Sequence, residues 1–189
     1  MVKTTRKLIK LLFTAHYFIF HHMRLTGMEN LPRSGGYILA LNHTSLMDAF
    51  TCLVMMPDDV RFMAKKELFE NRIIAWFARG GGGFPVDREG SDLSALREAS
   101  SILKDGHPLV IFPEGHRYKD GAIHELKPGC AMLAMMTGCP VVHGRIHTKY
   151  RPFQSVRINI GAPFIIERAR GAGMLETGTQ LIRDKMEAL

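Results

Sequence analysis

"GYILALNHTSLMDAFTCLVMM", residues 36–56, changes character twice. Its first six residues form an apolar run of strand length and composition. Residues 42–48 are mostly polar, and helical character returns from about residue 45 to residue 56. A buried strand that passes through a short polar turn into a helix is the unit of a parallel sheet, because parallel strands need a crossover connection. The rest of the chain repeats this pattern. Apolar runs suited to buried strands recur at 60–64, 83–87, 108–112, 140–146 and 155–161, with helical candidates at 66–79, 91–104, 127–137 and 174–187. The expectation is an α/β domain over residues 31–189, its mostly parallel or mixed sheet flanked by helices, preceded by a membrane-associating segment at 1–30.

The chain's 189 residues suit one such core, and 46% hydrophobic with 23% charged residues excludes a disordered or collagen-like chain. Cys52, Cys130 and Cys139 form no C-x-x-C pair and lie in apolar segments, so they read as reduced core thiols. No zinc spacing, no G-x-S-x-G nucleophile and no G-x-x-x-x-G-K-[ST] phosphate loop is present.

Charge is concentrated at the start. Lys3, Arg6, Lys7, Lys10, Arg24 and Arg33 stand against Glu29 alone in residues 1–36, which accounts for +5 of the net +7. An anionic membrane surface fits that end, and no nucleic-acid partner is expected. The apolar part of "MVKTTRKLIKLLFTAHYFIFHHMRLTG" is broken by Thr14 and His16, too short for the roughly 20 residues of a membrane span. It lacks an A-x-A-like site, and Arg24 intrudes where a signal peptide would be cleaved. The preferred reading is a helix lying at the membrane interface with its lysines and arginines on lipid. A first helix packed on the domain is the competing one.

Three polar turns follow apolar runs: "NHTSLMD", "DREG" and "PEGHR". In a parallel sheet they converge at the carboxyl edge, where ligands bind. On a continuous helix His43 and Asp48 would stand about 140° apart. With His43 in the turn and Asp48 in the first helical turn, the carboxylate can instead hold one imidazole nitrogen and raise the basicity of the other. The alternative is that Ser45 and Asp48 form an S-x-x-D capping box and His43 is only a turn residue. Arg88 and Arg117 are candidate anion clamps. Glu114 could accept from a substrate hydroxyl or hold an arginine, the bland reading being a Glu114–Arg117 pair.

In order, these segments resemble the lysophosphatidic acid acyltransferase (1-acylglycerol-3-phosphate O-acyltransferase) family. Asn42-His43-Thr44-Ser45-Leu46-Met47-Asp48 nearly matches its NHxSxxD motif, which contains the H-x4-D pair. "KKELFE…GGFPVDR" resembles the second motif, "FPEGHR" the family's FPEGTR, and "LKPGCAMLAMMTGCPVV" the fourth, together spanning residues 35–142. Two departures are His116 in place of threonine and His143 where proline is usual. The resemblance implies transfer of an acyl group from acyl-CoA or acyl carrier protein to a lysophospholipid hydroxyl at the cytoplasmic face of a membrane, by a peripheral or monotopic enzyme. It implies His43 as base and Asp48 as its orienting partner, with Asn42 and Ser45 supporting the turn. Arg88, Glu114, Gly115, His116 and Arg117 would form the glycerol-phosphate site, with a protonated His116 adding positive charge or, alternatively, only bonding within the turn. Backbone N–H groups near the first motif would hold the oxyanion, and neither metal nor cofactor is implied. Another lysophospholipid or a lyso-aminolipid as acceptor, thioester hydrolysis, and a lipid-binding module without catalysis are the alternatives.

Overall fold

The computed structural model describes residues 2–57, 59–87, 93–148, 150–168 and 173–189. The chain opens with helix α1 (Val2–Phe20) and strand β1 (His22–Thr26). Then follow β2 (Ile38–Leu41), α2 (Met47–Met55), β3 (Arg61–Lys65), α3 (Arg72–Gly80) and β4 (Gly83–Val86). The remainder is α4 (Leu93–Lys104), β5 (Leu109–Ile111), α5 (Gly129–Thr137), β6 (Val141–His147), β7 (Ser155–Ile160) and α6 (Met174–Glu187).

One seven-stranded sheet runs in the order β1-β7-β6-β2-β5-β3-β4. Strands β2 to β6 are parallel, β7 is antiparallel to β6, and β1 runs parallel to β7. This is the mixed α/β sheet expected. Every residue of β2 and β5 is buried, as strands covered on both faces must be. Ile38, Ala40, Leu109 and Ile111 pack with residues of α4, α5 and α6, whereas Leu39, Leu41 and Val110 pack with residues of α1 and α2. The three cysteines are free, and burial pushes the Cys130 thiol up to about 12, so they behave as core residues.

Two local features differ from the sequence expectation. The candidate helix at 66–79 divides into a 3-10 turn (Lys66–Phe69) and α3, because the Asn71 side chain accepts from the N–H groups of Ile73 and Ile74 and starts a new helix. Strand β1 was not anticipated: its five residues mix polarity and sit at the sheet's edge, so no apolar run announces it. It pairs along its whole length with β7, so the segment placed at 1–30 is built into the domain rather than appended to it.

Helix α1 packs on the domain through one face and leaves apolar side chains exposed on another. Ile9 and Tyr17 are buried, and Phe13 stacks on Phe50 of α2 at 3.9 Å. Leu8, Leu11, Leu12, Phe18 and Ile19 remain exposed. Its basic residues are not all free for lipid, which corrects the expectation. Arg6 is buried and donates to Val60 O at 2.9 Å and Gly80 O at 3.3 Å. Lys10 donates to Met56 O at 2.9 Å, at the carbonyl end of α2. Both cations sit where a helix end leaves unpaired carbonyls and partial negative charge. Among the described residues no helix is long and apolar enough to cross a membrane.

Candidate active site

At the carboxyl end of β2 the ladder is continued by a side chain. Asn42 Oδ1 accepts from Ile146 N at 2.7 Å and its Nδ2 donates to Ile146 O at 3.1 Å, which locks the end of β2 to β6. The chain then leaves the sheet at His43, and the turn after β5 closes over it. His43 N donates to Glu114 Oε2 at 2.7 Å, and Tyr118 N donates to His43 O at 2.8 Å. The His43 ring lies on Phe112, with centroids 4.1 Å apart and planes 15° from parallel. Backbone and ring of one histidine are thus fixed by a segment about 70 residues away in the chain.

Nδ1 of His43 lies 2.8 Å from Oδ2 of Asp48, which is wholly buried in the first turn of α2. The same oxygen accepts from the N–H groups of Thr44 at 2.6 Å and Ser45 at 2.8 Å, and Oδ1 accepts from the Thr44 hydroxyl at 3.2 Å. Ser45 Oγ in turn accepts from Met47 N at 3.2 Å. The two readings of Asp48 are geometrically compatible: one carboxylate ties off the turn and faces the imidazole. A carboxylate can only accept, so Nδ1 carries the proton and Nε2 keeps its lone pair. No group among the described residues bonds to Nε2. Such an arrangement can act as a general base, and among the described residues no serine or cysteine is bonded to Nε2.

The other expected site residues separate by role. Glu114 does not pair with Arg117. It is buried, and its two oxygens accept from His43 N and, at 3.0 Å, His124 N, so it braces the turn, a role its assignment to the acceptor site missed. Gly115 adopts φ 71°, and a Cβ there would come 2.8 Å from Lys127 Cε, so the tight turn needs glycine. His116 and Arg117 are exposed, and neither forms a hydrogen bond or ion pair among the described residues. Arg88 lies outside the described residues. The first motif's amides offer little for an oxyanion, contrary to expectation: those of residues 43, 44, 45, 47 and 48 are all bonded to protein acceptors. His143 is not part of this cluster. It lies on β6 beside Phe164 and Lys185, and burial, then the Lys185 charge, pulls its pKa down.

Sequence reasoning missed Phe112 and a chain of hydroxyls behind Asp48. Tyr17 of α1 lies 2.5 Å from Thr51 Oγ1, which is 2.9 Å from Tyr150 OH. Burial, with the Asp48 charge nearby, pushes both tyrosines far up, so they stay protonated. Residues 17, 51 and 150 meet only in the fold, and no local spacing marks them. An apolar cavity of about 340 Å³ begins at Phe112, beneath the His43 ring, and continues past Ile111, Met63, Val86, Cys130 and Met132. A polar cavity of about 400 Å³ lies on the first-motif side, lined by Thr44, Ser45, Lys119, Thr148, Tyr150 and Arg151. Among the described residues no cluster of three His, Cys, Asp or Glu side chains is placed to hold a metal ion.

The sequence model of the family described as Acyltransferase matches residues 22–146. A 1-acyl-sn-glycerol-3-phosphate acyltransferase of Bacillus subtilis is 36% identical over 121 residues, 64% of this chain and 60% of that protein. One of the same name from Streptococcus pneumoniae is 38% identical over 102 residues, 53% of this chain and 37% of its own length. The chain thus spans three-fifths or less of these two relatives. The crystal structure of a 1-acyl-sn-glycerophosphate acyltransferase from Thermotoga maritima aligns with a TM-score of 0.75 at 28% identity, covering 99% of this chain and 78% of that one.

Proposed function

This chain belongs to the Acyltransferase family, and on that premise we propose that it moves a fatty acyl group from an acyl thioester to the free hydroxyl of 1-acylglycerol-3-phosphate, forming phosphatidic acid. The observation that carries the reading is the His43–Asp48 pair, with Nδ1 committed to the carboxylate at 2.8 Å and Nε2 open. Nε2 takes the acceptor's hydroxyl proton as that oxygen attacks the thioester carbonyl. The tetrahedral intermediate then expels the thiolate by breaking the C–S bond, and the imidazolium returns the proton to sulfur. General-base catalysis of this kind contributes roughly 10²–10⁴-fold. Asp48 stabilises the imidazolium in between. The step as written uses no metal and no covalent enzyme intermediate.

The surroundings suit those substrates. The apolar cavity under Phe112 suits a fatty chain whose carbonyl must reach His43. Arg117 and His116, exposed and without protein partners among the described residues, supply cationic or hydrogen-bonding groups for the acceptor's phosphate. Arg88 is assigned there by the motif alone. The open apolar face of α1 is joined by Phe153 in the β6–β7 connection, which is exposed and 6.2 Å from the Phe20 ring, and α3 adds exposed Ile73, Ile74 and Trp76. Exposed apolar area of this extent suits peripheral contact with a membrane, where the lipid acceptor resides.

A lipid-product assay with one labelled acyl-CoA and a panel of acceptors tests this reading. Labelled phosphatidic acid from lysophosphatidic acid is expected. A different acylated lipid would move the acceptor within the family, and free fatty acid alone would make the chain a thioesterase.

A further inference from the structure

A second polar cavity, about 600 Å³, opens beyond the one beside Thr44 and Ser45, and the two share Lys119, Thr148 and Arg151. Its floor is a row of side chains across three strands. Arg24 on β1 is in register with Arg157 on β7, which is in register with His147 on β6. Directly opposed residues point to the same face, and like charges in that position destabilise a sheet. Arg24, Lys119, Arg151 and Arg157 are all exposed, and none has a carboxylate partner among the described residues. His147 Nε2 is enclosed with no hydrogen-bond partner. Among the described residues Asp120 is the one acid in the lining, and its carboxylate is already taken by Ala122 N at 3.1 Å and His124 Nε2 at 2.9 Å. Burial, then the Arg145 and Arg157 charges, pulls the His147 pKa down. The row is therefore a charge arrangement that lacks its counter-charge.

Position says which anion it serves. His43 follows β2, and Arg157 and Arg24 lie two and three strands away from β2. At about 4.8 Å per strand, Arg24 is roughly 14 Å across the sheet from the base. The acceptor's phosphate is only a few bonds from its reacting hydroxyl, so while the hydroxyl is at Nε2 it can approach His147, one strand from β2, but not the far end of the row at Arg24. The donor's phosphates stand a whole pantetheine arm from the thioester carbonyl. We infer that the trough formed by Arg24, Lys119, His147, Arg151 and Arg157 binds the nucleotide phosphates of a coenzyme A thioester, with the pantetheine arm running past Thr44 and Ser45 to His43. This rests on the thioester-donor reading above. The row presents several cations, which suits the several phosphates of coenzyme A better than the single phosphate of a carrier protein's prosthetic arm.

Calorimetry with coenzyme A itself, which needs no acyl transfer, keeps a failure here distinct from a failure of the proposed reaction. Wild type should bind coenzyme A. Arg157→Gln and Arg24→Gln should each weaken it about tenfold, the loss of one charge-assisted phosphate contact. Both residues are exposed, and circular dichroism is the check that each variant folds. In turnover, the kcat/KM advantage of palmitoyl-CoA over palmitoyl-pantetheine should shrink by the same factor. Unchanged coenzyme A affinity in both variants overturns the assignment. So does weaker sedimentation with anionic vesicles at unchanged coenzyme A affinity, which makes the trough a lipid-headgroup site. A KM increase confined to acyl carrier protein thioesters overturns it in favour of a protein donor.

Discussion

Asp48→Asn removes one charge and almost no shape. Oδ2 has the demanding contacts, N–H donors from His43, Thr44 and Ser45 at 2.8, 2.6 and 2.8 Å. Oδ1 accepts from the Thr44 hydroxyl at 3.2 Å, and the Tyr150 hydroxyl also bonds to this carboxylate; either hydroxyl can turn round and accept from an amide. The asparagine can therefore place its oxygen on the three donors and its nitrogen against Thr44. Each of those bonds drops from about 1.5–3 kcal/mol for a charged acceptor to about 0.5–1.5. The fold loses roughly 3 kcal/mol, less the relief of no longer burying a carboxylate. The reaction loses more. An N···O distance of 2.8 Å puts the imidazolium and carboxylate charge centres roughly 4 Å apart, an attraction of about 4 kcal/mol at an effective dielectric of about 20. Without it kcat should fall roughly a thousandfold, with little change in the acceptor's KM. Initial rates of labelled acyl transfer at saturating donor, and thermal unfolding of the same preparation, measure both effects. A folded variant that keeps kcat within about tenfold of wild type would refute the claim that Asp48 stabilises a charge on His43.

Glu114→Ala leaves the N–H groups of His43 and His124 without their acceptor, so stability should fall by about 3 kcal/mol or more in denaturant unfolding, with a loss of kcat as His43 comes loose; unchanged stability contradicts the bracing role. Leu12→Glu with Ile19→Glu alters two exposed residues of α1 and should lower vesicle binding at least about tenfold without a change in circular dichroism; equal sedimentation would remove α1 from the membrane contact. His143 is held neutral by burial and Lys185, so the unfolded chain takes up a proton first as pH falls below about 6.5. Stability should therefore be flat above that value and decline below it, and His143→Gln should shrink the difference in melting temperature between pH 7.5 and 5.5.

Reading the sequence succeeded where the physics is local. The strand, turn and helix at 36–56 follow from apolar runs and their periods, and six of the seven strands announced themselves in this way. Placing His43 in a turn so that it could meet Asp48 needed only the mismatch between a five-residue spacing and the helical period. What stayed hidden depends on partners far off in the chain. Glu114 looked like a substrate ligand because its two backbone donors belong to residues 43 and 124. Arg6 and Lys10 looked like lipid contacts because the carbonyls they satisfy lie beyond residue 55. The charge row of Arg24, Arg157 and His147 exists only through strand register, and β1, whose mixed polarity marks no strand, supplies one third of it.

The central claim is that His43 moves the acceptor's proton, and His43→Ala tests it most directly. The substitution leaves both backbone bonds of residue 43 in place, to Glu114 and to Tyr118, and removes only the ring between Phe112 and Asp48. Phosphatidic acid formation from labelled acyl-CoA and lysophosphatidic acid is the quantity to measure, on protein whose circular dichroism matches wild type. The account predicts turnover reduced by roughly 10² to 10⁴ or more. Near-normal turnover by the folded variant would contradict it and send the search for the base elsewhere.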